Sequence, residues 1–85
     1  MTKTWLITGT SSGFGRFLAE RLPARGDRVV ATLRRDGALD DLRVQHVDRL
    51  RVKNLDVTDA PAVRDVVKRV FEAMGRIDVV VNNAG

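Results

Sequence analysis

The residues best placed to do chemistry in this chain are small ones. Thr8, Gly9, Gly13 and Gly15 form the pattern Thr-Gly-x-x-x-Gly-x-Gly directly after the apolar run Trp5-Leu6-Ile7. An apolar strand that enters a glycine-rich turn, which then opens an amphipathic helix, builds a seat for a pyrophosphate. The glycines let the backbone approach phosphate oxygens. The new helix aims its free N–H groups and the positive end of its dipole at them. The first glycine interval is longer than in G-x-G-x-x-G, so the strand–turn–helix context carries the weight of the reading.

A second chemical signal follows the next apolar run. Val29-Val30-Ala31-Thr32-Leu33 leads into Arg34 and Arg35, with no acid until Asp36. In a dinucleotide site an acid at this point accepts hydrogen bonds from the adenosine ribose 2′-OH, whereas an arginine pairs with a 2′-phosphate. The guanidinium fork grips phosphate oxygens bidentately, so the arginines point to the phosphorylated cofactor. Two solvated loop arginines are the alternative.

The elements that must hold these groups alternate strand and helix. Strands are expected over residues 3–8, 28–33, 50–55 and 77–81. The first helix is expected from about Gly13 to Arg25, with Phe14, Phe17, Leu18 and Leu22 at helical spacing. Pro23 lies in its last turn and predicts a kink or an early end, because it removes a helical hydrogen bond and crowds the preceding turn. Residues 38–46 are expected to form a short helix with Leu39 and Leu42 inward. The third helix is expected to start at a Thr58 or Asp59 cap, with Pro61 in its first turn, and to stop at Gly75.

Strands that alternate with helices imply a parallel sheet with right-handed crossovers. The expected class is α/β, a partial doubly wound sheet in spatial order 3-2-1-4. Val79-Val80-Val81 would then need a fifth strand beside it, and left bare it is an aggregation hazard. Residues 1–85 are therefore expected to be the first half of a larger domain, marginally stable or self-associating alone.

Composition narrows the function classes. The chain has 85 residues, 44% of them hydrophobic, which suits one small globular unit and argues against disorder. It has no cysteine, so thiolate metal sites and disulfides are excluded, and the one histidine, His46, cannot build a metal cluster alone. No apolar run is long enough to span a bilayer and no signal peptide is visible, so a cytoplasmic location without membrane association is the default. The net charge is +4 and the pI near 10.7. The basic residues are scattered, with no tyrosine and one tryptophan among them, so nucleic acid is not an expected partner.

Taken together, Thr8-Gly9-Thr10-Ser11-Ser12-Gly13-Phe14-Gly15, Leu55-Asp56-Val57-Thr58 and Asn82-Asn83-Ala84-Gly85 resemble the N-terminal half of a short-chain dehydrogenase/reductase. The resemblance covers essentially the whole chain, with the three motifs in the family's order. It implies a Rossmann-type fold and NADP(H) in preference to NAD(H). Gly9, Ser11, Ser12, Gly13, Phe14 and Gly15 would line the pyrophosphate. Arg34 and Arg35 would hold the 2′-phosphate. Asp56 would accept from the adenine amino group beside the Val57 backbone. Asn83, Ala84 and Gly85 would border the adenosine, while Asn82 braces the strand.

The same resemblance implies a parent oxidoreductase that moves a hydride between NADP(H) and a small carbonyl or alcohol substrate, as a homo-oligomer. The family's catalytic serine, tyrosine and lysine lie beyond the last glycine motif, and the chain contains no tyrosine. No catalytic residue is therefore assigned, and these residues alone are expected to be inactive. A non-catalytic module that binds NADP or pairs with a partner is the alternative. Two departures stand out: Pro23 inside the first helix, and Ser12 where a basic residue before Gly13 would add to NADP preference.

Overall fold

The computed structural model describes residues 2–10, 13–34, 37 and 39–83. In chain order the elements are β1 (Thr4–Thr8), α1 (Gly13–Ala24), β2 (Arg28–Leu33), α2 (Asp40–Gln45), β3 (Leu50–Asn54), α3 (Ala60–Met74) and β4 (Val79–Asn82). The strands form one parallel sheet in the expected order β3-β2-β1-β4. The chain is a partial Rossmann fold. Among the described residues, no helix is long and apolar enough to cross a membrane.

Strand parity sorts the apolar residues into two layers. Ile7, Val29, Ala31, Leu33 and Leu50 face α1 and α2, where they pack with Ala19, Leu22, Leu39 and Leu42. Leu6 and Val30 point the other way and pack with Val70 of α3. All of β2 from Val29 to Leu33 is buried, as expected of a central parallel strand covered on both faces. Leu39 and Leu42 turn inward as their spacing predicts.

The helix ends follow their local chemistry. Asp59 caps α3 by accepting from the Ala62 N–H at 3.2 Å, and Gly75 closes it in a left-handed conformation with its N–H on the Phe71 carbonyl. α1 runs through Pro23 to Ala24, one residue short of Arg25. It is closed by Gly26 in left-handed backbone at φ 100°, with the Gly26 N–H on the Pro23 carbonyl at 3.0 Å and the Asp27 N–H on the Leu22 carbonyl at 3.1 Å. The short helix spans Asp40–Gln45, inside the expected 38–46. β4 is shifted toward the C-terminus relative to the expected 77–81, because its pairing starts at Trp5 opposite Val79 while Ile77 packs under α3.

The apolar positions of α1 divide in a way that periodicity did not show. Its buried face is Gly15, Ala19, Leu22 and Pro23, whereas Phe14 and Phe17 are 59% and 46% exposed. Only small residues fit where α1 presses on the glycine turn, so the large rings fall on the outer side. There they stack on each other at 6.3 Å, with the Arg21 guanidinium 4.9 Å over Phe17.

Two aspartates fasten the start of β1. Asp27 accepts from the Lys3 N–H at 3.2 Å and from the Trp5 indole at 3.0 Å. On the other edge Asp78 accepts from the Thr4 N–H at 2.8 Å and is held by the Arg76 guanidinium. These bonds fix β1, and with it the point at which the chain enters its glycine turn.

Candidate dinucleotide site

The glycine turn leaves the C-terminal end of β1 between β2 and β4, where open α/β sheets bind ligands. Gly9 and Gly13 both hold left-handed backbone, at φ 68° and 64°, which a side chain would strain. The Asn83 amide donates to the Gly9 carbonyl at 3.0 Å, and the Asn83 N–H donates to the Thr8 hydroxyl at 3.1 Å. The Thr8 hydroxyl also lies 3.1 Å from Asn82 Oδ1, so the end of β4 is tied to the end of β1. On the opposite side Thr10 donates its N–H and its hydroxyl to the Thr32 carbonyl, at 3.1 and 2.9 Å. The turn is thus anchored to both neighbouring strands.

That anchoring explains the glycine spacing. A Cβ on Gly15 would lie 2.4 Å from the Gly9 carbonyl oxygen and 2.8 Å from Asn83 Nδ2. A Cβ on Gly13 would meet nothing within 4 Å. Gly15 is therefore needed for the helix to close on the turn. Gly13 faces open space.

A second cluster sits at the ends of β2 and β3. The Leu55 N–H donates to the Leu33 carbonyl at 2.9 Å, carrying the pairing of the two strands past the end of β3. Beyond that bond, Arg34 Nη2 lies 3.6 Å from Asp56 Oδ2. The other oxygen, Oδ1, accepts from the Thr58 N–H at 2.9 Å and the Thr58 hydroxyl at 2.7 Å. Those two bonds, aided by Arg34, hold the Asp56 carboxyl below the usual carboxylate range, so it is an acceptor at neutral pH. The two side chains border an open cleft of about 580 Å³ that also takes in Leu55, Val66, Lys53 and Arg69.

The structure therefore brings Gly9, Gly13, Gly15 and Asn83 together in one cluster and Arg34 and Asp56 in another, with half-buried Val57 beside Asp56. Phe14 opens α1 with its ring outward. Ser11, Ser12, Arg35, Ala84 and Gly85 lie outside the described residues. The Asn83 side chain is spent on the Gly9 carbonyl, so in this structure it shapes the turn from below. Thr10, expected only as part of the glycine motif, and Thr58, expected as a cap and as the end of the Leu55–Thr58 motif, thus both position site residues. Their signal was their position, each within two residues of a site residue and able to bond backbone or carboxylate locally.

With this geometry in view, comparison with known proteins decides the family. The family model described as short chain dehydrogenase matches residues 3–85. The chain belongs to the short-chain dehydrogenase family. Within that family it is similar to an oxidoreductase of Botryotinia fuckeliana, 48% identical over all of this chain and 31% of the relative. It is also similar to the NADP-dependent 3-hydroxy acid dehydrogenase YdfG of Escherichia coli, 35% identical over 94% of this chain and 32% of that protein. A short-chain dehydrogenase from Streptomyces avermitilis, known from its crystal structure, is 50% identical and superposes with a TM-score of 0.96 over all of this chain and 31% of its own. The chain thus spans about a third of the length of these short-chain dehydrogenases.

Proposed function

We propose that this chain is the NADP(H)-binding portion of an oxidoreductase that moves a hydride between the cofactor and a small carbonyl or alcohol substrate. The observation that carries the reading is Arg34. It leaves the C-terminal end of β2 with no acid before it, and faces Asp56 across the mouth of a cleft. A cation there suits a 2′-phosphate, and a carboxylate held ionised beside it suits the adenine amino group. The open space at Gly13 and the closed contact at Gly15 suit a pyrophosphate lying against the turn. The family membership and the NADP-dependent relative support the same reading.

When bound, the cofactor supplies or accepts the hydride. The chain's own residues do the holding. The N–H groups at the start of α1 take the pyrophosphate, Arg34 and Arg35 take the 2′-phosphate, and Asp56 accepts from the adenine. Ser11, Ser12, Ala84 and Gly85 complete the turn and the adenosine border in this proposal. A cytoplasmic, homo-oligomeric parent enzyme belongs to the same reading.

The test is calorimetric titration of the intact protein with NADPH and with NADH. NADPH is expected to bind more tightly. Replacing Arg34 and Arg35 by alanine should cost NADPH about 1.5–3 kcal/mol, the loss of a charge-assisted phosphate contact. Equal affinity for the two cofactors in the unmodified protein would overturn the NADP assignment.

A further inference from the structure

Arg34 and Asp56 form an ion pair at the border of the cleft, and that pairing has a consequence for selectivity. Thr58 occupies Asp56 Oδ1 with two hydrogen bonds, at 2.9 and 2.7 Å. Arg34 Nη2 stands 3.6 Å from the other oxygen, Oδ2. In the reading above, on which this inference rests, the same oxygen must accept from the adenine amino group and the same guanidinium must leave for a 2′-phosphate.

We propose that Arg34 and the adenine amino group compete for Asp56 Oδ2, and that a 2′-phosphate releases the acceptor by drawing Arg34 away. A phosphate offers the guanidinium a bidentate, charge-assisted partner, which one carboxylate oxygen cannot match. NADP therefore frees its own adenine acceptor as it binds. NAD has no group to draw Arg34 off and must displace it from Asp56. Selectivity then has two parts, an attraction for the 2′-phosphate and a penalty on the cofactor that lacks it. The Arg34 and Asp56 side chains are 71% and 43% exposed, so the contact is a solvated ion pair and the penalty is small. Exposed pairs of this kind correspond to about a twofold to fivefold change in affinity.

The experiment is calorimetric titration of NADP⁺ and NAD⁺ into the intact protein and its Arg34→Ala, Asp56→Asn and double variants. Both side chains are solvated, and asparagine keeps an acceptor for Thr58, so the fold is expected to persist. Arg34→Ala should bind NADP⁺ at least about tenfold more weakly, the loss of one charge-assisted contact. It should bind NAD⁺ about twofold to fivefold more tightly. In the Asp56→Asn background, removing Arg34 should give no gain for NAD⁺, because the ion pair is already gone. If the unmodified protein prefers NADP⁺ but Arg34→Ala leaves NAD⁺ affinity unchanged or lower, the competition is overturned while the cofactor assignment stands. If the unmodified protein shows no preference for the 2′-phosphate, the cofactor assignment fails and the competition falls with it.

Discussion

At the scale of single residues, the two inner glycines of the turn do different work, and substitution separates them. Gly13 is required for its backbone: φ is 64°, and an added methyl meets nothing within 4 Å. Gly13→Ala should therefore cost about 1–2 kcal/mol, the ordinary penalty for a side chain in left-handed backbone. Gly15 is required for space. Its methyl would lie 2.4 Å from the Gly9 carbonyl oxygen, a backbone atom held in place by Asn83. Gly15→Ala should cost at or above the top of the roughly 1–3 kcal/mol usual for overpacking. Denaturant midpoints of the two variants check the ordering. A Gly13→Ala protein less stable than Gly15→Ala would show that closure of α1 on the turn is not what fixes the spacing.

At the scale of elements, β1 is held by carboxylates at its start and by hydroxyls at its end, and the carboxylates make its anchoring depend on pH. Bonds from the Lys3 N–H and the Trp5 indole lower Asp27, and bonds from the Thr4 N–H and Arg76 lower Asp78, both below the ordinary value of 3.8. A carboxyl lowered by folding adds stability that is complete above its unfolded value and is lost as pH falls through the folded one. Stability should thus be level near neutrality and decline below about pH 4 as β1 loses its fastening. Trp5 is the only tryptophan and bonds Asp27 directly, so its emission follows the event. Asp27→Asn should lower the melting temperature at pH 7 and flatten its decline in acid. An unchanged acid slope in that variant would remove Asp27 from the account. The bonds from Lys3, Trp5 and Thr4 were not legible in the sequence, because they join groups 22 to 74 residues apart. What was legible is the strand–helix alternation, the caps at Asp59 and Gly75 and the inward turn of Leu39 and Leu42, all set by neighbours a few residues away. Asn83 on Gly9 spans 74 residues, and no local pattern announces it.

At the scale of the whole molecule, the sheet is covered unevenly, and this too follows from contacts that periodicity cannot see. On the α3 side Val80, Phe71 and Val67 are 61%, 57% and 38% exposed, although the helical period of α3 is unbroken. On the other side Phe14 and Phe17 stand outward. Periodicity names an apolar face but not what lies against it, and that depends on elements distant in the chain. β4 pairs with β1 along one edge, and among the described residues no strand pairs with the other. A short apolar strand with an open edge, beside exposed valine and phenylalanine, favours association with further copies. The 85 residues expressed by themselves should therefore sediment as a concentration-dependent mixture of species. Val80→Lys places a charge on that bare face at a position that is already mostly solvated, so it should raise the monomer fraction without unfolding the sheet. Sedimentation velocity over a hundredfold range of concentration makes the comparison. A single monomeric species throughout, with a sharp and reversible thermal transition, would show that the sheet is self-sufficient with β4 at its edge, and the expected association would be wrong.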